Sequence, residues 1–452
     1  MTATIAARVA APDRVGAVRG YRFELVKLIS LWRVRLLVVA AWIGPAAVVV
    51  VAAKQGILPS DTVFGRWLHA TGWAAPLVGL GFSGMWALPL LTSVVAGDVF
   101  AAEDRLGTWR HLLVAIRSPR RIFAAKALAS LTVILLPYAG LACSSAAAGV
   151  VVIGNRPLIG LDGHVLAPAD AAGRVLLAWV CALAPTLALV AIGLLGSVAL
   201  GRSPMGLLLP AIVALGMQVA QLLPLPVAVR FALPGYAFIA WHGLFTSPVQ
   251  LGPLLISIAV SLSWAVAATG LAYWLFLRRD FTNAAYEGAG RRFLLAGILP
   301  MAALLAVTVG VIAVAAPVAT GSGIEQAKLE RSLATSFGHL YRVQTRQLHR
   351  PDVTEAQLQA AATCDKGGGL VENSGPGNGW RCVVTWHLPG VEAVGNATYQ
   401  LDVTADGRYI ADGDGPREVN GYFIVSTPTG DAPNPLWQFD GIVDLLENAP
   451  KG

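Results

Sequence analysis

The sequence predicts a polytopic α-helical membrane protein with seven spanning helices and a small α+β domain at its C-terminal end. Three observations carry this. The chain of 452 residues is 56% hydrophobic and only 13% charged, where soluble domains carry about 25% charged residues, and its mean hydropathy is +0.63. The charge is also divided unevenly: residues 1–317 hold 23 Lys/Arg against 10 Asp/Glu, and residues 318–452 hold 10 against 16. The overall +7 therefore averages two unlike regions, and it does not signal a nucleic-acid partner. Finally, the apolar residues fall into separate runs, each long enough to cross a bilayer.

A spanning helix needs about 20 mostly apolar residues. Seven stretches qualify: Leu36–Ala53, Ala74–Val95, Ile122–Ile153, Val175–Leu200, Met205–Leu223, Leu254–Leu277 and Phe293–Pro317. Six contain no Asp, Glu, Lys, Arg or His. The third holds only Lys126, near its start, where snorkelling is the expectation. The turn Gly201-Arg202-Ser203-Pro204 makes the fourth and fifth spans a hairpin.

Basic residues orient the spans. With the N-terminus in the cytoplasm, 18 Lys/Arg fall on that side and five on the other. The C-terminal domain is then extracytoplasmic, and the chain is a multi-pass protein of the cell membrane. Residues 1–20 contain no apolar run resembling a cleavable signal. Residues 1–35 read as a cytoplasmic N-terminus and an interfacial helix, 36–282 as six spans, 283–317 as a cytoplasmic linker and seventh span, and 318–452 as the α+β domain.

Cys143 and Cys181 lie in apolar spans, where a small buried thiol is expected. Cys364 and Cys382 flank a turn-rich stretch in the C-terminal region, and outside the cytoplasm they should form a disulfide. In that region Gly323–Leu348 reads as a helix, and Thr354-Glu355-Ala356-Gln357 as a capping box opening a second one. Arg381–Leu388, Ala397–Thr404, Arg408–Ala411 and Gly421–Ser426 read as strands, with Asp406-Gly407 as a turn. Leu436–Leu446 reads as an apolar turn or helix.

Catalytic motifs are scarce. No Lys follows a Gly, which excludes a phosphate-binding loop; no His precedes a Glu; and no G-x-S-x-G is present. Asp162, His164, Asp170 and His242 are the only candidates for a membrane enzyme acting on lipid or peptide. His242 reads more simply as an interfacial packing residue. The uncharged spans argue against a proton- or ion-coupled carrier.

Two amphipathic segments stand out. Arg19–Arg35 suits the membrane interface, with Tyr21, Phe23, Leu25, Leu28 and Trp32 interleaved with Arg22, Lys27 and Arg33. Phe100–Ile116, between the second and third spans, can form one helix.

At these residues the sequence resembles the permease subunit of type-2 ATP-binding-cassette (ABC) exporters. The likeness rests on Glu24 and Lys27 in an E-x-x-K pattern and on the run Gly97-Asp98 … Glu103 … Gly107-Thr108 … Leu112-Leu113 … Ser118 … Arg120 … Lys126. The third element is Phe276…Arg278-Arg279-Asp280. It covers about residues 17–282. Here Pro119 falls between Ser118 and Arg120, whereas the family places Pro before that pair, and the chain adds a seventh span and a C-terminal domain. The resemblance implies the family's six-helix fold, with 100–116 as a coupling helix and Glu103, Asp104, Gly107, Thr108 and Arg110 at the contact with a separate ATPase subunit. Glu24 and Lys27 would sit on the elbow helix before span one. It implies as partners an ABC ATPase that binds ATP and Mg, a second permease copy or relative, and the lipid bilayer, with no cofactor on this chain. A cavity lined by the second and fifth spans would carry a lipophilic or amphiphilic cargo, and the Pro-rich Leu223–Pro253 would form re-entrant half-helices or an irregular loop. The alternative to export is a non-transporting, membrane-anchored binding or signalling module.

Overall fold

The computed structural model describes residues 17–55, 63–116, 118–201, 204–279, 281, 294–415, 421–428 and 430–447. The first 16 residues, Arg202, Asp280 and the Arg291-Arg292 pair lie outside these.

Among the described residues, six helices are long and apolar enough to cross a membrane. The first is α2 (Trp32–Gln55). The second joins α4 (Ala74–Phe82) to α5 (Leu88–Val95) through a π-helical turn at Ser83–Ala87. Next come α8 (Pro119–Val152), α9 (Pro168–Ala199) and α12 (Leu251–Leu277). The last begins as a π turn at Leu294–Ile298 and continues as α13 (Leu299–Ala315). The fifth expected span, Met205–Leu223, is α10 (Pro204–Leu222), shorter than the other six at about 28 Å, taking 1.5 Å per residue.

Even so, α10 runs the height of the bundle. At its start Gly206 lies against Gly97, just past α5. Beyond its end, the Val227 amide donates to the Gly321 carbonyl at the threshold of the C-terminal domain. In the Pro-rich stretch Leu223–Pro253, Pro224–Pro226 is irregular and partly exposed, but Val227–Phe245 is mostly helical and buried. It forms α11 (Val227–Phe231) and two short helical turns, and most of their residues are buried.

One end of the bundle carries α1 (Ala17–Ser30), α6 (Ala101–Leu106) and α7 (Trp109–Ile116). Phe100–Ile116 is thus two helices instead of the single one that its periodicity suggests. Gly107 separates them with φ +66, a left-handed conformation that glycine adopts without a Cβ penalty.

The opposite end carries the C-terminal domain. Its helix α14 (Gln326–Gln347) packs on a five-stranded antiparallel sheet. The sheet order is β3 (Ala361–Lys366), β4 (Gly377–His387), β5 (Val394–Val403), β6 (Arg408–Gly413) and β9 (Gln438–Ile442). Leu436–Leu446 therefore supplies an edge strand in place of the expected helix or turn, with Phe439 and Gly441 alternating inward. A separate hairpin pairs β7 (Ile424–Thr427) with β8 (Gly430–Pro433). The capping box opens α15 (Glu355–Leu358). Cys364 and Cys382 are bonded, facing each other in the register between β3 and β4.

This domain rests on the connections between spans. Arg66 of α3 (Val63–Ala70) pairs with Asp440. A hairpin of β1 (Leu158–Ile159) and β2 (Val165–Leu166) brings the Asp162 carbonyl to His339 Nδ1 at 2.8 Å. Arg230 of α11 donates to the Ala405 carbonyl.

Candidate functional site

At the end carrying α1, four charged side chains are drawn into one network. Lys126 leaves α8 inward: its Nζ donates to Glu24 Oε2 at 2.9 Å, Glu103 Oε1 at 2.7 Å and the Val99 carbonyl at 3.3 Å. It is fully buried, so it does not snorkel. Lys27 and the Thr108 hydroxyl also donate to Glu103. The E-x-x-K residues of α1 therefore do not pair with each other; Glu24 meets α8 and Lys27 meets α6. Burial alone would raise the Glu103 carboxyl, but the Lys126 charge and the hydrogen bonds from Lys126, Lys27 and Thr108 outweigh it and bring it down to about 2.

A neighbouring carboxylate, Asp104, receives the Arg279 guanidinium through two nitrogens and the Trp109 indole at 2.6 Å. The rings of Phe100, Trp109, Phe123 and Phe276 pack together beside it, with centroids 5.1 to 6.4 Å apart. Asp98 is held by Arg33 and Arg105. Ser197 of α9 accepts the Phe100 and Ala101 amides, each at 3.0 Å. Sequence reading missed Ser197, because one Ser in an apolar run looks like any other.

Of the five residues assigned to a partner contact, Glu103 and Asp104 are buried and paired within the chain, and Thr108 is half-buried. Gly107 and Arg110 are exposed, together with Leu106, His111 and Val114. These form a ridge on the outer side of α6 and α7.

Two of the four enzyme candidates come together. The Asp162 carboxylate pairs with His164 and accepts the Ser247 amide at 2.6 Å, which holds it low against its burial. Asp170 is exposed. His242 is buried against Trp241, ring centroids 4.0 Å apart, and burial together with the Arg408 charge lowers it to about 3. Among the described residues no group of three or more His, Cys, Asp or Glu could hold a metal ion. Cys181 is buried, but Cys143 faces outward from α8.

Between the second span and α10 lies a cleft of about 850 Å³. Leu208, Ile212, Leu215, Val219 and Leu222 of α10 line it, recurring on one helical face. Trp86, in the π-helical turn, also lines it. A π turn adds one residue to the helical turn and so rotates the side chains of α5 about the helix axis. The floor toward the C-terminal domain is the β5–β6 connection around Asp406.

No family model, curated protein or solved structure matches this chain. The long apolar helices mark a multi-pass helical membrane protein with a small antiparallel-sheet domain at the C-terminus.

Proposed function

We propose that this chain is the permease subunit of an ATP-driven ABC exporter, moving a lipophilic or amphiphilic substrate out of the cytoplasm. The observation that carries this reading is the buried network of Lys126, Glu24 and Glu103. It ties the elbow helix, the loop helix and the third long helix into one rigid piece, beneath an exposed ridge at Leu106, Gly107, Arg110 and Val114. A separate ATPase subunit docks on that ridge. Glu103 and Asp104 transmit the load to α1, α8 and Arg279 rather than touching the partner. ATP binding closes the ATPase pair and shifts the population of two bundle states. The apolar cleft beside α10, completed by a second permease copy, is the path. The N-terminus is then cytoplasmic and the C-terminal domain extracytoplasmic, as the distribution of Lys and Arg favours.

The test uses Arg110→Glu and Val114→Asp, two surface changes that leave the network intact. Both should lose the co-purifying ATPase and export while keeping the thermal stability of the parent. A retained ATPase and undiminished export in both variants would overturn the proposal.

A further inference from the structure

The cleft has two chemically different ends. Most of its wall is apolar, but where it meets the C-terminal domain it is lined by Gln221, Thr404, Asp406 and Arg408. Arg230 lies just behind this end and is 1% exposed. Its Nη1 donates to the Ala405 carbonyl, and its own carbonyl accepts from Gln221 Nε2 at 3.2 Å. Ala405 and Gln221 both line the cleft.

The remaining atoms are unusual. Arg230 Nε and Nη2, and Gln221 Oε1, are buried without a hydrogen-bond partner among the described residues. Gln221 is itself only 7% exposed. Buried polar groups are nearly always partnered, and an unmade hydrogen bond costs about 1–3 kcal/mol, more for a charged group. Asp406 acts on the charge of Arg230 only from a distance, because its hydrogen bonds come from Arg408 Nε at 2.7 Å and from Thr404. Asp440, the other carboxylate that acts on Arg408, is already paired with Arg66, so three guanidiniums face two carboxylates and leave one positive charge at the polar end of an apolar cleft.

We infer that this junction binds the anionic head of an amphiphile, with Arg408 meeting the head, Arg230 supplying the uncompensated charge behind it, and Gln221 Oε1 accepting from a hydroxyl of the head group. Its apolar body lies along the wall between Trp86 and Leu215. The C-terminal domain thereby contributes half of the head site through the β5–β6 connection. This deepens the export reading, on which it rests for the direction of movement but not for binding.

The full-length chain, purified in detergent without any ATPase, is incubated with phosphatidylglycerol, phosphatidylcholine of matched chain length, or inorganic phosphate, and retention is read by native mass spectrometry. Phosphatidylglycerol should be retained on the order of tenfold more tightly than phosphatidylcholine, the equivalent of one favourable charge contact. Inorganic phosphate should not displace it. Arg230→Gln and Arg408→Gln should each erase the preference, and Leu215→Trp should weaken both lipids. Should Arg230→Gln fail to fold, Arg408→Gln, on the more exposed strand, decides the matter. Equal retention of the two lipids, a preference unchanged by Arg408→Gln, displacement by phosphate alone, or a dimer that excludes lipid from the cleft would each overturn the inference. Because no ATPase is present, failure of the export reading would leave this result unaffected.

Discussion

Lys126, Glu24 and Glu103 have side chains 2% exposed or less where they meet, and such a triad is asymmetric in its energetics. Taking charges out of water costs several kcal/mol per ion, and mutual attraction repays this only while every partner is present. Removing the shared cation should therefore be severe. Lys126→Met is expected to destabilise the detergent-solubilised protein by about 3–5 kcal/mol, whereas Lys27→Met, on a side chain 34% exposed, should cost about 1 kcal/mol or less. Thermal unfolding of the two variants checks this, and equal shifts would contradict it. The depressed Glu103 carboxyl also sets a pH dependence. A group whose folded pKa lies below its unfolded value stabilises above the unfolded pKa and loses that contribution as pH falls through the folded one. The contribution of Glu103 should thus be constant at neutral pH and fade between about 4.5 and about 2. A Glu103→Gln variant should lack that acid transition.

At the scale of elements, two backbone positions do what side chains cannot. Gly107 ends α6 in a left-handed turn, and a Cβ there would meet nothing within 4 Å. Only the backbone conformation penalises a substitution. Gly107→Ala should cost about 1–2 kcal/mol and speed amide exchange over Thr108–Ile116, while Gly107→Asn, which tolerates this conformation, should cost less. Hydrogen exchange by mass spectrometry separates the two. Gly149 near the end of α8 is the opposite case. A Cβ there would come 2.2 Å from the Gly72 carbonyl oxygen, closer than any side chain can sit. Gly149→Leu should force α8 away from α4 and lower the yield of folded protein far more than Gly310→Leu, where a Cβ has open space.

For the whole molecule, the C-terminal domain combines its own core with contacts to several interhelical connections. Phe337 of α14 packs on Trp386 and Tyr399 of the sheet, and Tyr409 is buried beneath Ser332 and Ser336. The Cys364–Cys382 bond closes a loop of 18 positions, which the chain-entropy account values at roughly 3 kcal/mol. Cys364→Ser with Cys382→Ser should lower the unfolding midpoint of this domain while leaving the transition of the helical bundle in place. Coincident loss of both transitions would show instead that bundle and domain unfold as one unit.

Much of this architecture is legible from composition and spacing. Apolar runs mark six long helices because the bilayer imposes a length on any uncharged segment, and Thr354-Glu355-Ala356-Gln357 marks a helix start because capping is local chemistry. The strand at Gln438–Ile442 escapes a reading of the sequence because a short apolar run carries no period that separates strand from turn; its pairing with β6 decides it. Likewise, Phe100–Ile116 has a helical period throughout, and only the left-handed Gly107 divides it.

The long apolar helices, the uneven charge and the disulfide can be read along the chain, since each depends on residue type and near neighbours. Packing alone settles that Lys126 points inward between Glu24 and Glu103, that the Gly107–Arg110 ridge faces outward, and that Arg230 ends beside a cleft with two nitrogens unpartnered among the described residues. Those partners lie up to 175 residues apart, and no local pattern of hydropathy or propensity encodes which distant carbonyl or carboxylate a buried charge will meet.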